Sequence, residues 1–245
     1  MNRRALKLVP LGLVAWASWG CTSQPMAKCP VDPSAPPEIA PAGPPKTCSK
    51  THPTDDGLVD DFDDGDTQVA KVEGRDGYWF TSHDDKGSTI GPMPLTMTGE
   101  GAGGPGKSLH LAGVTSAATG AWGALWGANF VGQGTYDASK HAGMSFKAKV
   151  GGASTKQVRF KLGDVNTHPD GGVCKDCWNH FGKDLTLSTD WKEYVVTFAE
   201  MTQEAGWGQH FPFVTTSKLI SVNWSVGPGV PYDVWIDDLQ FVDCN

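Results

Sequence analysis

The stretch Gln157-Val158-Arg159-Phe160-Lys161-Leu162 alternates polar and apolar side chains at every step. An extended chain with this pattern turns Val158, Phe160 and Leu162 to one side, and Arg159 and Lys161 to the other. Six further segments of the same kind stand at 108–114, 123–130, 143–150, 192–198, 219–226 and 232–242, parted by clusters of Gly, Pro, Asn and Asp. In 192–198 the shared face carries Tyr194, Val196 and Phe198. Between 58 and 245 no segment sustains a helical period and no internal repeat occurs. The one helical candidate, 199–204, amounts to a single turn. Many short strands at this spacing predict an all-β protein, a two-sheet antiparallel sandwich of the jelly-roll kind.

Composition points the same way. The chain of 245 residues holds 31 Gly, 17 Pro and 10 Trp but only 19% charged residues, which suits a turn-rich β domain. A net charge of −7, with no basic run beyond Arg3-Arg4, excludes nucleic acid as a partner.

The N-terminus reads as an export signal over 1–20: Arg3, Arg4 and Lys7 precede a short apolar run at 8–19 that cannot span a bilayer as a mature helix. Two exits compete. Gly20-Cys21 resembles the end of a bacterial lipobox, which would make Cys21 a lipidated N-terminus, although Ser18 and Trp19 depart from that pattern. Ala15-Trp16-Ala17 offers an ordinary cleavage site instead. The lipoprotein reading is preferred. It puts the chain in the cell envelope as an outer-membrane lipoprotein, touching membrane only through its lipid; secretion or periplasmic release is the alternative. Residues 21–56 then form a disordered, Pro-rich linker, because eight prolines from Pro30 to Pro53 fix φ and almost nothing apolar is available to bury. The working domain is 57–245.

Export permits disulfides. A bridge between Cys48, ahead of the first strand, and Cys244, after the last, would staple the domain's ends. Cys174 and Cys177 would close a local disulfide in a Gly-rich loop. A zinc site built from His168, Cys174, Cys177 and His180 is the alternative. With Cys21 lipidated, five cysteines remain, an odd number.

Two acidic features raise the question of a metal. Asp60-Asp61-Phe62-Asp63-Asp64-Gly65-Asp66 packs five carboxylates into seven residues without matching an EF-hand loop. Asp237-Asp238 interrupts an apolar final strand, where alternation turns one carboxylate toward the core. A Ca²⁺ ion shared between the two would offset that cost. No hydrolase motif occurs, so the chain reads as a non-enzyme.

Aromatic residues exceed what one core needs: Trp79, Trp122, Trp126, Trp178, Trp207 and Trp224, with Tyr78 and Tyr136. Trp224 (beside Ile220, Val222 and Val226) and Trp235 (beside Leu239 and Phe241) read as core. Trp122 and Trp126 share one face of a Gly-rich strand and join the ligand candidates. Arg159, Lys161, Asp164 and His168, on one polar strand face and the loop after it, complete the set with His180.

Several of these pieces occur in a familiar order: 58–65, Tyr136-Asp137-Ala138-Ser139, 143–149, Trp191-Lys192-Glu193-Tyr194, Gly206-Trp207-Gly208 and 232–242. Together they resemble a galactose-binding-like jelly roll, and specifically the family 11 carbohydrate-binding modules. That resemblance implies two antiparallel sheets, a structural calcium site with Asp63, Asp237 and Asp238 in ligand positions, and β-glucan binding in a concave groove. The loop 170–181, with its two cysteines, departs from the glucan-binding members. The resulting expectation is non-catalytic binding of a polysaccharide or oligosaccharide. An envelope protein-interaction module is the first alternative and a glycan-cleaving enzyme the second.

Overall fold

The computed structural model describes residues 43–245. The export signal at 1–20, Cys21, Cys29 and the linker as far as residue 42 lie outside the described residues. Eleven strands follow in the described part: β1 (Thr51–Asp60), β2 (Trp79–His83), β3 (Met97–Glu100), β4 (Lys107–Val114), β5 (Ala124–Asn129), β6 (Gly143–Val150), β7 (Gln157–Asp164), β8 (Phe181–Thr186), β9 (Lys192–Thr197), β10 (Leu219–Val226) and β11 (Pro231–Cys244). They form two antiparallel sheets, as the alternation predicts. One runs β3-β4-β11-β6-β9 with β1 also on β11; the other runs β2-β5-β10-β7-β8. The 14-residue β11 is the spine of the first sheet. Its first half pairs with β4, its second half with β1, and β6 lies along its other edge.

The core lies between the sheets and is closed by aromatic contacts across them. Tyr232 of β11 stacks on Trp126 of β5 at 5.7 Å between ring centroids. Phe146 of β6 meets Trp224 of β10 edge-on at 5.1 Å. Each such ring, fully withdrawn from water, contributes on the order of 2–3 kcal/mol. Val158, Phe160 and Leu162 are buried while Arg159 and Lys161 face out, which is the division the opening stretch implies.

Differences from the sequence reading have local causes. β1 begins at Thr51 and β11 pairs with it from Thr51 onward, so the domain starts inside the span assigned to linker. Pro53 sits there opposite Val242 next to a register shift, a position that tolerates a missing N–H. β8 falls partly in the cysteine-bearing loop; Gly182, Lys183 and Asp184 mask its strand character. The helical candidate shrinks to a 3-10 turn at Phe198–Glu200, where Glu200 and Thr197 form a capping box.

Trp235 is not core. Asp237 pairs with Lys147 and Gln240 with Ser145, so β11 carries one residue more than β6 over this stretch, and Asp238 takes a positive φ of 50°. That bulge reverses the alternation. Val234 and Ile236 point inward before it, Leu239 and Phe241 after it, and Trp235 is left outside against His110 at 3.9 Å. Cys48 and Cys244 are bridged, with Cα atoms 5.4 Å apart, tying the segment before β1 to the end of β11.

The loop joining β7 to β8 hangs on Asp164. Its buried carboxylate accepts from Asn166 N (3.2 Å), Thr167 N (3.0 Å), Thr167 Oγ1 (2.9 Å) and Thr215 N (2.7 Å). Thr167 passes the restraint on: its carbonyl accepts from Trp178 N at 2.9 Å, and its hydroxyl meets His180 Nδ1 at 2.9 Å. Asp164→Ala should therefore cost about 1–3 kcal/mol, the price of leaving buried donors unpaired. Amide hydrogen exchange over 165–180 should rise about tenfold or more while β10 stays protected. Uniform exchange across both regions would contradict the role given to Asp164.

Candidate functional site

The outward face of the five-stranded sheet is hollowed into a groove of about 1030 Å³. Its floor is set by strand register. Phe80, Gly127, Asn223, Lys161 and Gly182 lie side by side across five neighbouring strands. Glycine is required at two of these places. A Cβ on Gly127 would stand 2.8 Å from Asn223 Oδ1, and one on Gly182 would stand 2.9 Å from Lys161 Cγ. The floor therefore stays low, with amide and ammonium groups facing upward.

Three tryptophans form the walls. Trp122 is 46% exposed, Trp178 55% and Trp207 44%. Two of them are held by a buried polar side chain nearby. Asp84 accepts from Trp122 N (3.1 Å) and Gly123 N (2.8 Å) at the start of β5. Desolvation opposes ionisation of Asp84, but donors from Gly123, Ser88 and Lys86 outweigh it and draw its pKa down to about 2. Asn179 donates to the carbonyls of Glu204 (2.8 Å) and Trp207 (2.7 Å), which fixes the loop carrying Trp207. Trp178 is held at φ 77°, a strained backbone for so bulky a residue. Strain of this kind persists only where the surroundings impose it, and it clusters at functional sites.

Of the residues named from sequence, Trp122, Arg159, Lys161, His168 and His180 line this groove. Two do not belong to it. Trp126 is 1% exposed and packs in the core, because Gly123 at φ 105° breaks the alternation that would have joined it to Trp122. Asp164 is fully buried, its oxygens taken by the loop donors described above. Trp178, Trp207, Asn129 and Asn223 were missing from the sequence-derived ligand set. The two tryptophans carried a signal, as surplus aromatics in Gly-rich loops; the asparagines carried none.

The polar groups differ in character. Arg159 donates to Asp184 Oδ1 at 2.9 Å and to the Thr202 carbonyl. His168 and His180 stack in parallel, with centroids 5.8 Å apart. Burial, then the nearby Lys161 and His168, push the pKa of His180 down to about 3, so its ring is neutral. Thr167 Oγ1 donates to Asp164 and so accepts from His180 Nδ1, which leaves His180 Nε2 as a lone-pair acceptor. Cys174 and Cys177 are joined as a disulfide, Cα atoms 5.2 Å apart, which removes the thiolates a zinc site with these histidines would need.

The acidic residues lie elsewhere, around the turn between β3 and β4. Asp63 Oδ1 accepts from Lys107 N (2.9 Å) and Asp237 Oδ2 from Ala102 N (2.6 Å). Burial pushes Asp237 up to about 6 despite those donors, with Asp238 and Asp63 adding to the shift. Asp238 turns away to Lys147 at 2.7 Å and does not fit a shared ion site. Among the described residues no group of three or more His, Cys, Asp or Glu side chains converges to hold a metal. Asp63 and Asp237 retain unshared lone pairs, yet Ca²⁺ takes roughly six to eight oxygens, so carbonyls or water would have to complete any shell.

No family model matches this chain, and no curated protein does. Solved structures do. The solution structure of CtCBM11 aligns with a TM-score of 0.52 at 14% identity, covering 78% of this chain and 98% of that one. A family 11 carbohydrate-binding module from Clostridium thermocellum, in complex with a β-1,3-1,4-mixed-linked tetrasaccharide, aligns with a TM-score of 0.47 at 15% identity over 74% and 96% of the two chains. A family 30 carbohydrate-binding module of a Clostridium thermocellum cellulosomal cellulase gives 0.43 at 14% over 76% and 92%. Identity this low speaks to architecture alone: the chain shares the two-sheet β-sandwich fold of CtCBM11.

Proposed function

We propose that the groove on the five-stranded sheet is a non-catalytic carbohydrate-binding site. One observation carries the reading. Three exposed tryptophans from three separate segments converge on one groove whose floor carries the polar side chains of Asn223 and Lys161. Indole faces stack on the apolar faces of sugar rings, while amide and charged groups hydrogen-bond the hydroxyls between them. A protein-binding surface would instead present its aromatics as a flat apolar patch. The fold shared with CtCBM11 supports the reading, although a fold by itself does not assign a ligand. Asp184 lines the groove but is paired with Arg159, which suits a positioning role better than acid catalysis.

Two further proposals concern the ends of the domain. Export with lipid attachment at Cys21 rests on the n-region, the short apolar run and Gly20-Cys21. A calcium ion near Asp63 and Asp237 rests on the buried, charge-crowded Asp237 carboxylate.

Affinity electrophoresis and calorimetry against a panel of neutral and acidic polysaccharides test the binding site. At least one polysaccharide should retard the protein. Replacing Trp122, Trp178 or Trp207 by Ala should each weaken that interaction about tenfold, equivalent to about 1.4 kcal/mol, without lowering Tm. Retention by none of the panel would remove the proposal. For the anchor, Cys21→Ala should abolish incorporation of labelled fatty acid and release the protein from the membrane fraction; unchanged labelling would exclude Cys21. For calcium, EDTA should lower Tm and added Ca²⁺ should restore it. An unmoved Tm would leave the acidic end to its amide donors alone.

A further inference from the structure

We infer that the groove selects an acidic saccharide, with a uronate carboxylate or a sulfate ester seated on Lys161. The inference rests on the carbohydrate-binding reading and names the class of sugar. Its basis is an imbalance of charge at the centre of the floor. Arg159, one turn of the pleat away on β7, is neutralised by Asp184 at 2.9 Å. Lys161 is partly buried, yet among the described residues it makes neither an ion pair nor a hydrogen bond. Its neighbours across the sheet are Asn223 on β10 and Gly182 on β8, neither of which bears charge.

The titratable and charged groups facing Lys161 are few. Arg159 repels it from its own strand, and Glu204 attracts it from the connection between β9 and β10, without contact. His180 lies beside it and is neutral, as burial dictates; burial likewise lowers the pKa of His168. The ammonium therefore enters the groove with no carboxylate in contact with it, Glu204 acting only from a distance. A neutral hydroxyl would accept one hydrogen bond and leave that charge uncompensated, whereas an anionic oxygen satisfies both. The surroundings suit such a ligand. Asn223 and Asn129 offer amide donors, and His180, being neutral, puts no second cation beside Lys161. Desolvation also brings Lys161 down to about 8. An acidic ligand should accordingly be held below that pH and released as the ammonium deprotonates above it.

The test is calorimetry on the full chain with three probes of equal length: a neutral mixed-linked glucan tetrasaccharide, a tetragalacturonate and a sulfated galactan tetrasaccharide. At pH 6.5 and low salt, one acidic probe should bind about tenfold tighter than the neutral one, and the preference should shrink with added salt. Which acidic probe binds distinguishes carboxylate from sulfate. Raising the pH from 6.5 to 9.5 should erase the preference, because Lys161, brought down to about 8, discharges in that window while the neighbouring His180 is neutral throughout. Lys161→Met should lose the preference, weakening the acidic probe about tenfold more than the neutral one, and Lys161→Arg should keep it; matching Tm values establish that both variants fold. Equal or tighter binding of the neutral probe overturns the inference and leaves the carbohydrate-binding reading intact. So does equal loss of both probes in Lys161→Met. Absence of binding to all three probes, and to the wider polysaccharide panel, overturns both.

Discussion

The Asp164 carboxylate, buried at the end of β7, is the constraint on which the groove's loop side depends. An ionised carboxyl withdrawn from water is costly unless its lone pairs are filled. Here three donors come from Asn166 and Thr167 in the loop and one from Thr215, so the carboxyl group organises the chain around it. Thr167 then relays that order to Trp178 through its carbonyl and to His180 through its hydroxyl. The Cys174–Cys177 bridge within the loop adds little by comparison. In the chain-entropy view, a bridge closing three residues restrains the unfolded chain by roughly 1.5 kcal/mol, against about 5 kcal/mol for one closing almost two hundred. Cys48–Cys244, with a separation of 196, is the bridge that supports global stability. Cys174–Cys177, with a separation of 3, shapes a loop that Asp164 already holds.

The two outer faces of the sandwich treat their aromatics differently. On the six-stranded sheet, Lys149 lies over both Trp191 and Trp235 at 5.0 Å, and His110 covers Trp235 from the neighbouring strand. Asp233 in turn pairs with His110 at 2.7 Å. That face is a closed ladder whose rings already have partners. On the five-stranded sheet, Trp122 and Trp207 have no aromatic or cationic neighbour among the described residues, and Trp178 meets only the edges of two histidine rings. Unpartnered indoles around a hollow are costly in water unless a ligand covers them. This asymmetry, rather than the total number of tryptophans, supports the five-stranded sheet as the proposed binding face.

How much of this the sequence discloses depends on whether the period of two survives. β6, β7 and β10 keep strict alternation and an unbroken register over most of their length; their residues and their inward faces can be read directly from the chain. Trp126 and Trp235 could not be placed that way, since one glycine at positive φ and one bulged aspartate each shift the count by a residue. A period-two argument carries no information across such a step. The same Asp237-Asp238 pair that suggested a metal is also where the strand changes phase, with Asp237 accepting the amide of Asp238. Side chains that work through buried hydrogen bonds were the least visible. Asp84 and Asn179 each position a wall tryptophan and Thr167 positions His180, yet nothing in their spacing separates them from ordinary turn formers.

Lys161 shows why polarity alone is a weak guide to a site and pairing a stronger one. Arg159 and Lys161 are equivalent in the sequence pattern, two residues apart on one face. The structure separates them by what sits opposite: Asp184 across from Arg159, Gly182 across from Lys161. A glycine there removes both a steric cap and any chance of a side-chain partner, so Lys161 is open to the groove because β8 supplies nothing to close it. Its charge is then satisfied only by what enters. A single register pairing between β7 and β8 thus converts two similar cations into one that supports the wall and one that selects the ligand.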